Sequence, residues 1–313
     1  MRVAISGASG LVGRALSRYL SAQGANVIPI VRVKTANASA IYWNPVAGEI
    51  EAEKFEGLDA VVNLAGENIA SKFWNEAQKQ KIRDSRIKST NLLVDTIKKL
   101  RNGPRILFSA SATGFYGDRG DQLLTESSAA GQGFLAEVCQ EWEAAADRLN
   151  GSGIRVINGR IGMVLSTEGG ALQKMLLPFQ LGAGGNLGSG NQYMSWIELT
   201  DLVRAIHFVL STEVSGPVNL VAPAPVTNAQ FTKAMGRAVS RPTILPAPAM
   251  ALRLMLGEMA DQLLLCSQRV VPEVLERKQF DFQYADLDRA LAAALGKGAP
   301  PSVGSSKLVA HNK

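Results

Sequence analysis

A glycine-rich turn near the N-terminus constrains the fold of this chain more than any other feature. The apolar run at 3–6 leads into a turn with glycines at positions 7, 10 and 13, and a helical pattern follows until Gly24. A strand, a glycine turn and a helix in this order form a cradle whose backbone N–H groups face the phosphates of a dinucleotide. The alternative is a chance strand–helix turn. The predicted cradle residues are Gly7, Ser9, Gly10, Leu11, Val12 and Gly13.

The end of the second predicted strand, 27–31, indicates which dinucleotide binds. An NAD site of this kind carries an acidic residue there to accept the ribose 2′-hydroxyl. Here the strand is followed by Arg32, and no acidic residue precedes Glu49. A guanidinium can bind a 2′-phosphate through two parallel hydrogen bonds. Arg32 therefore predicts NADP(H) as the cofactor, with an ordinary surface arginine as the alternative.

Composition and charge exclude several classes of function. The chain has 313 residues, 46% of them hydrophobic and 19% charged, which is typical of a globular protein. The net charge of +6 suits an anionic ligand, but the basic residues are dispersed, so we expect no nucleic-acid partner. Two cysteines and two histidines predict neither a disulfide framework nor a metal site. With a strand starting at residue 3 and no membrane-length apolar run, the expected location is cytoplasmic, without a membrane partner.

Later strands and helices are read from their apolar patterns. A buried strand over 59–63 ends in the small turn Leu64, Ala65 and Gly66, which lets a cofactor ribose pass close to the backbone. A glycine-rich loop at 182–192 is expected to lie over the cofactor or substrate, or to be a flexible linker. The other predicted elements are a helix at 74–100, strands at 105–110 and 154–158, and helices at 133–149, 202–210 (capped by Asp201) and 229–239. A Leu- and Met-rich helix from Met250 is expected to be buried against the large domain, with burial in a dimer as the alternative.

The motifs together resemble a known superfamily. The glycine turn, the Asn-Leu-Ala-Gly strand end at 63–66 and the segment from Ser111 to Gly117 are similar to extended short-chain dehydrogenases/reductases, the NAD(P)-dependent epimerase/dehydratase superfamily. Further blocks resemble one atypical branch, the epimerase family proteins (family 39U and bacterial relatives), over about residues 1–295. The branch implies a small C-terminal domain of unknown function and defines no substrate. Those blocks are 66–69, 84–86, 142–146, 169–179, 187–190 and 218–223.

The catalytic pair that the resemblance implies is missing from this sequence. In the superfamily, a tyrosine and a lysine four residues later lie on the helix that follows this strand. Here no tyrosine lies between Tyr116 and Tyr193, and no lysine lies between Lys99 and Lys174. The remaining candidates are the hydroxyl groups at the strand end, for which the alternative role is packing. They are Ser111, Thr113 and Tyr116.

Arg86 is a further predicted cofactor-binding residue, and Lys81, Glu137 and Glu141 are weaker site candidates. By resemblance, Arg86 is expected to reach the cofactor, whereas Lys81 is as readily a solvated side chain. Glu137 and Glu141 lie one helical turn apart, so they either present a carboxylate to the site or remain exposed. The branch usually carries a histidine after Trp-Ile, where this chain has Glu198.

These observations predict an α/β fold, a Rossmann-type doubly wound parallel sheet with a smaller, mostly helical C-terminal cap. Residues 1–225 form the predicted NADP-binding domain, with about 160–200 contributing to the substrate pocket; 226–299 form the small C-terminal domain and 300–313 a disordered tail. The predicted function is an atypical NADP(H)-binding oxidoreductase acting on an unidentified small molecule, as a monomer or homodimer. The alternatives are a nucleotide-sugar epimerase or dehydratase and a catalytically silent NADPH-binding sensor.

Overall fold

A large sheet forms the centre of the structure, a computed structural model that describes residues 1–35 and 37–297. The predicted tail at 300–313 lies outside the described residues. The described strands are β1 (Arg2–Ser6), β2 (Asn26–Val31), β3 (Ile41–Asn44), β4 (Glu49–Ile50), β5 (Ala60–Asn63), β6 (Ile106–Ala112), β7 (Leu123–Leu124), β8 (Arg155–Ile161), β9 (Met163–Leu165), β10 (Tyr193–Met194), β11 (Trp196–Glu198), β12 (Gly216–Leu220), β13 (Val226–Thr227) and β14 (Arg269–Val270). The large sheet has the order β12-β8-β6-β5-β1-β2-β3-β4.

Helices cover both faces of this sheet. Helices α1 and α5 pack together on one face, and α2 and α3 pack together on the other. The described helices are α1 (Leu11–Ala22), α2 (Glu76–Ile97), α3 (Phe134–Asp147), α4 (Gly170–Gln180), α5 (Leu199–Ser211), α6 (Asn228–Val239), α7 (Ala249–Leu256), α8 (Glu258–Ala260), α9 (Glu273–Arg277) and α10 (Leu287–Ala294).

Strand β1 is buried on both of its faces because its side chains alternate between the two helical layers. Val3 and Ile5 pack in the cluster that contains Leu16 of α1, whereas Ala4 packs in the cluster that contains Leu93 of α2. All of these side chains are fully buried. The unbroken apolar run near the N-terminus is therefore the central strand of a two-sided sheet.

The order of the strands reverses at β1 and creates a crevice. In the sheet, β2 and β3 lie on one side of β1, and β5, β6, β8 and β12 lie on the other. All of these neighbours are parallel, so their carboxyl ends lie at one edge of the sheet, where ligands bind in open α/β folds. The predicted Rossmann-type fold is confirmed.

The C-terminal region is mostly helical, as predicted. Helices α6 and α10 pack against each other and against Trp196, which is fully buried. Helix α6 starts with a capping box, in which Thr227 accepts from the Gln230 N–H and Gln230 accepts from the Thr227 N–H. The short pairs β14–β7 and β10–β13 connect this region to the first part of the chain. The domain boundary at residue 225 stays a prediction.

Several predicted elements have different ends in the structure. The predicted strands 105–110 and 154–158 extend to Ala112 and Ile161, because buried polar partners satisfy Ser111 and Arg160 at positions where the apolar pattern breaks. Helix α2 is shorter than predicted and spans Glu76–Ile97, with Asn75 capping the Gln78 N–H.

Asp201 was predicted to cap the helix of residues 202–210, and this is wrong. The helix α5 starts at Leu199, and the Glu198 carboxylate accepts the Thr200 N–H as its cap. Asp201 is fully buried and accepts the N–H groups of Gln283 and Tyr284 instead. Glu198, where the resemblance implies a histidine, is therefore the N-cap of α5 in this chain.

The Leu- and Met-rich helix from Met250 is not buried, contrary to prediction. Helix α7 has eight residues and none of them is buried; Met250, Leu254 and Met255 are 81%, 89% and 69% exposed. A dense apolar composition does not specify which element packs against it, so the pattern could not distinguish a core helix from a surface one. None of the described helices has the length and apolar character required to cross a bilayer.

Candidate functional site

The glycine turn forms a tight cradle at the carboxyl end of β1. Gly7 has a φ of +68°, and an ideal Cβ on it would lie 2.8 Å from the Leu64 carbonyl oxygen. An ideal Cβ on Gly13 would lie 2.1 Å from the Gly7 carbonyl oxygen, so α1 approaches the turn more closely than any side chain permits. Ser9 is exposed, and its carbonyl accepts from Arg14 Nη1 at 2.9 Å. Position 7 therefore requires glycine because of its positive φ and the close Leu64 carbonyl, and position 13 requires it because the Gly7 carbonyl leaves no room for a Cβ.

The first turn of α1 has free backbone donors. Gly10 is the N-cap, its N–H donates to the Gly7 carbonyl at 2.9 Å, and no side chain caps the helix. The first bond of the helix runs from the Arg14 N–H to the Gly10 carbonyl, also 2.9 Å. The N–H groups before that bond have no partner within the helix, so they and the helix dipole suit an anion. They belong to Leu11, Val12 and Gly13.

A buried polar network holds the end of β5 beside the cradle. Ser6 Oγ donates to Asn63 Oδ1 at 2.6 Å and accepts the N–H groups of Leu64 and Ala65 at 3.1 and 3.2 Å. Asn63 Nδ2 then donates to Thr90 Oγ1 on α2 at 2.9 Å. Ser6 was not predicted as a site residue, although a polar residue at the end of an otherwise apolar strand is a signal for such a role.

Arg86 lies against the small turn that follows β5. Its Nη1 donates to the carbonyls of Glu67 and Ile82 at 3.1 and 3.0 Å, and its guanidinium lies 5.1 Å from the Trp142 ring. An ideal Cβ on Gly66 would lie 3.1 Å from Arg86 Cζ, so this guanidinium packs directly on the backbone. Arg86 therefore orders the loop that leaves β5 and brings a cation to the crevice.

Arg32 follows β2 at the outer end of the crevice. Its side chain is exposed and forms no ion pair or hydrogen bond with residues 1–35 or 37–297. Lys34 nearby lies 5.1 Å from the Tyr42 ring. The structure therefore leaves the Arg32 guanidinium available to a ligand on the side of β1 where the adenosine ribose of a dinucleotide binds.

Helix α4 crosses in front of the cradle. Ideal Cβ atoms on Gly169 and Gly170, at the start of α4, would lie 3.6 and 3.5 Å from the Leu11 side chain. Further along α4, Lys174 Nζ donates to the Ala70 carbonyl at 2.6 Å, and Ala70 belongs to the loop after β5. The start of α4 therefore packs beside the first turn of α1, while Ser9 and Gly10 of the cradle remain exposed. The glycine-rich loop at 182–192 packs elsewhere, with Leu187 bridged to Ala247.

A buried network surrounds the end of β6. Ser111 Oγ donates to Glu143 Oε1 at 2.6 Å, and Arg160 donates from Nε and Nη2 to both oxygens of Glu143 at 2.9 and 2.8 Å. Arg160 Nη1 also donates to the Tyr116 hydroxyl at 2.9 Å. Glu143 and Arg160 were missed from sequence, although two opposite charges at interior positions of α3 and β8 indicate a buried pair.

Tyr116 is fully buried, although we expected it to line the pocket. Its hydroxyl lies 2.7 Å from Asn219 Oδ1 and 3.0 Å from the Thr125 carbonyl, besides accepting from Arg160. Burial raises the pKa of the phenol, and the Arg160 cation offsets this only in part. The Tyr116 hydroxyl is therefore engaged in the interior and is not placed to donate to a ligand.

Two residues of α3 that are four positions apart lie against the end of β6. An ideal Cβ on Gly114 would lie 3.4 Å from Leu135 Cβ and 3.9 Å from Cys139 Sγ. Burial raises the pKa of the Cys139 thiol to about 11. Thr113, the first residue of the short helical turn after β6, is also buried. At this position the helix offers an aliphatic side chain and a neutral thiol.

The other glutamates of α3 point away from the site. Glu137 and Glu141 both pair with Arg83 of α2, at 3.2 and 3.3 Å, and their side chains are half exposed. Their predicted site role is therefore not supported.

A cavity of about 180 Å³ adjoins Gly114 and Leu135, and segment 253–268 of the C-terminal region forms its other wall.

Glu126 is a buried carboxylate at the junction of three elements. Its Oε1 accepts the N–H groups of Asn219 and Val274 at 3.0 and 3.2 Å, but its Oε2 has no partner among the described residues. Burial raises the pKa of this carboxyl, and the charge of Glu273 raises it further, against the lowering effect of the backbone donors.

Replacing Glu126 by glutamine is expected to stabilise the protein in a pH-dependent way. Because the folded-state pKa is raised, the stability from the protonated form is complete below the unfolded-state value of 4.5 and is lost as the pH rises through the folded-state value. Glu126→Gln should therefore raise the melting temperature by about 2 °C or more near pH 8 and by much less near pH 4.5. Differential scanning calorimetry at both pH values checks this. The exposed Glu276→Gln is the control, and an equal gain at both pH values would contradict the assignment.

A parallel sheet with a crevice at its switch point, and a glycine cradle below free helix N–H groups, define a Rossmann-type protein with a dinucleotide-binding architecture. Residues 3–221 match the NAD dependent epimerase/dehydratase family, and residues 247–294 match a domain of unknown function, DUF1731. The chain belongs to the NAD dependent epimerase/dehydratase family. The resemblance read from the sequence is confirmed for both parts of the chain.

Relatives match this chain over nearly its whole length. An epimerase family protein of Mycobacterium bovis is 48% identical over 293 residues, which cover 93% of this chain and 97% of that protein. One from Staphylococcus aureus is 38% identical over 291 residues, covering 92% and 96%. The human epimerase family protein SDR39U1, solved with NADPH, is 33% identical, has a TM-score of 0.87, and matches over 95% of this chain and all of that one.

Proposed function

We propose that this protein binds NADP(H) and acts as an oxidoreductase on a small molecule. The observation that carries the cofactor assignment is the exposed guanidinium of Arg32 at the end of β2, in a chain with no acidic residue before Glu49. The residues also fit the rest of such a cofactor, because no side chain caps the N-terminus of α1 and its first three N–H groups have no partner within the helix. The NADPH bound to the human relative supports the same assignment.

Each part of the crevice has a role in this proposal. The first turn of α1 binds the pyrophosphate, and Arg32 binds the 2′-phosphate bidentately. The backbone of Leu64, Ala65 and Gly66 lies along the ribose path, and Arg86 supplies a fixed cation beside it. When bound, NADPH supplies a hydride that reduces a carbonyl group.

Ser111 is the group we assign to a hydroxyl of the substrate or of the product alcohol. Its proton is directed at Glu143, so its remaining lone pairs can accept a hydrogen bond from such a hydroxyl, and the proton that the carbonyl oxygen takes up on reduction comes from solvent. Thr113 lies two residues further along at the same strand end and is the second candidate. Tyr116 acts as a positioning residue, because its hydroxyl is bonded to Arg160 and Asn219 in the interior.

A catalytically silent NADPH-binding protein is the second candidate function. Leu135 and Cys139, at the four-residue spacing of the superfamily's tyrosine and lysine, favour it, since neither can protonate a substrate oxygen as that pair does. Incubation of the purified protein with NADPH and a panel of carbonyl compounds separates the two functions. Carbonyl-dependent oxidation supports the oxidoreductase, and tight binding without turnover supports the silent protein.

Reversing the charge at Arg32 is expected to change cofactor selectivity. Arg32→Asp removes two charge-assisted hydrogen bonds to the 2′-phosphate and adds repulsion, so the Kd for NADPH should rise at least about 30-fold. The Kd for NADH should change by no more than about threefold, because aspartate can accept the 2′-hydroxyl. Isothermal titration calorimetry measures both. Arg101→Asp, an exposed reversal after α2, is the matched control. An equal loss of both cofactors would remove the 2′-phosphate argument.

A further inference from the structure

The cavity beside Gly114 and Leu135 has a distinctive chemistry. The C-terminal region lines it with Arg253, Asp261, Gln262 and Gln268. Gly114, which lines this cavity, directly follows Thr113 in the short helical turn after β6, so the cavity adjoins the turn that carries one of the two candidate hydroxyl groups. It is therefore placed where a substrate of the proposed oxidoreductase has to bind.

The described residues that line this cavity include one cationic side chain and two carboxylates. Arg253 is the single cation among the described lining residues, and its Nε donates to Asp261 Oδ1 at 2.9 Å. The second carboxylate, that of Asp118, accepts the N–H groups of Gly120 and Ser267 at 3.2 and 3.1 Å. A diphosphate is bound by free cations or open helix N-termini, and this lining offers no unpaired cation.

Three side-chain amides supply the remaining polar groups. Those of Gln132, Gln262 and Gln268 form no hydrogen bond with any residue of the described ranges. Gln262 also covers the start of α3, because an ideal Cβ on Gly133 would lie 2.6 Å from its Nε2. Amides donate and accept hydrogen bonds without charge, which is the recognition that hydroxyl and carbonyl groups require.

We propose that this cavity is the substrate site and that it selects an uncharged, hydroxyl-bearing carbonyl compound rather than a nucleotide sugar or a phosphorylated compound. Its volume of about 180 Å³ suits a ligand of about six to ten non-hydrogen atoms, since an engineered cavity of about 150 Å³ holds benzene. Among the described lining residues, Asp261 and Asp118 outnumber the one cation, Arg253, so the cavity has no excess positive charge with which to attract an anion. The assignment rests on the proposed oxidoreductase function.

A matched pair of probes tests the selectivity by binding alone. The full chain is saturated with NADP⁺ and titrated calorimetrically with dihydroxyacetone, erythrulose, dihydroxyacetone phosphate and UDP-glucose. We expect the two neutral compounds to bind at least about tenfold more tightly than the two anionic ones. Equal or tighter binding of either anionic compound, or no binding of the neutral ones, overturns the substrate class. Failure of NADP⁺ itself to bind would instead overturn the proposed function.

A gain-of-function variant tests the ion pair. Asp261→Asn frees the Arg253 guanidinium inside the cavity, so the Kd for dihydroxyacetone phosphate should fall at least about tenfold while that for dihydroxyacetone changes by less than about threefold. Asp261 is half exposed, so the variant is expected to fold. Asp288→Asn breaks the surface pair with Arg237 and is the control, with both affinities unchanged. An unaltered preference in Asp261→Asn would refute the role of the pair.

Discussion

The Gly10→Val variant is expected to lose NADPH and NADH binding together while it keeps its fold. Gly10 has φ −74° and ψ 173°, which a valine adopts readily, and its ideal Cβ has a single close contact, 3.2 Å from the Gly7 carbonyl oxygen. The added methyl groups project from the N-cap of α1, where a pyrophosphate has to approach the backbone. We expect both Kd values to rise at least about 100-fold, which corresponds to about 2.7 kcal/mol, by calorimetric titration.

Two further variants separate binding from folding in this experiment. Gly13→Ala places a Cβ 2.1 Å from the Gly7 carbonyl oxygen, so it should lower the melting temperature far more than Gly10→Val does. Ser21→Val, on an exposed position near the end of α1, should change neither cofactor affinity. Retention of NADPH affinity within about tenfold in Gly10→Val would show that the cofactor does not use this cradle.

Removing the cation of the buried pair is expected to cause the largest loss of stability. Arg160→Met leaves the Glu143 carboxylate buried without its bidentate partner and also removes a donor from the Tyr116 hydroxyl. Breaking one partner of such a pair costs about 3–5 kcal/mol, because the remaining charge is uncompensated. Urea unfolding of the wild type and the variant measures the difference.

An exposed arginine–carboxylate pair is the control for this loss. Arg237 also binds both oxygens of one carboxylate, Asp288 at 2.7 and 2.8 Å, but these side chains are 61% and 53% exposed. Arg237→Met should cost no more than about 1 kcal/mol. Combining Arg160→Met with Glu143→Leu should recover most of the lost stability, because no charge is then stranded. Similar costs for Arg160→Met and Arg237→Met would contradict the buried-pair assignment.

Local patterns allowed the sequence to predict the glycine turn and the end of β5, because each depends on residues within a few positions of one another. The caps at Asn75 and Thr227 are equally local, and the sequence placed the starts of these two helices within two residues. Such features follow from backbone geometry and short hydrogen bonds, so the sequence contains all of the information that they need.

The pairings around β6 could not be predicted in the same way. Glu143 and Arg160 lie on a helix and on the next strand, and their contact depends on how α3 packs over the sheet. The exposure of α7 and the choice of Glu198 over Asp201 as a cap have the same origin, since each depends on which distant segment is nearby. Apolar periodicity specifies which side of an element is buried, but not which partner buries it.

Two acids in the first two-thirds of the chain rely on main-chain donors from the last third. Glu126 accepts from the Val274 N–H, and Asp201 accepts from the N–H groups of Gln283 and Tyr284. A C-terminal module grafted from an unrelated protein would have to place its own amides at the same points, or it would strand both acids. Sequence changes in the C-terminal region are therefore tolerated where they keep these backbone donors in place, whereas replacement of the whole region by an unrelated domain is disfavoured.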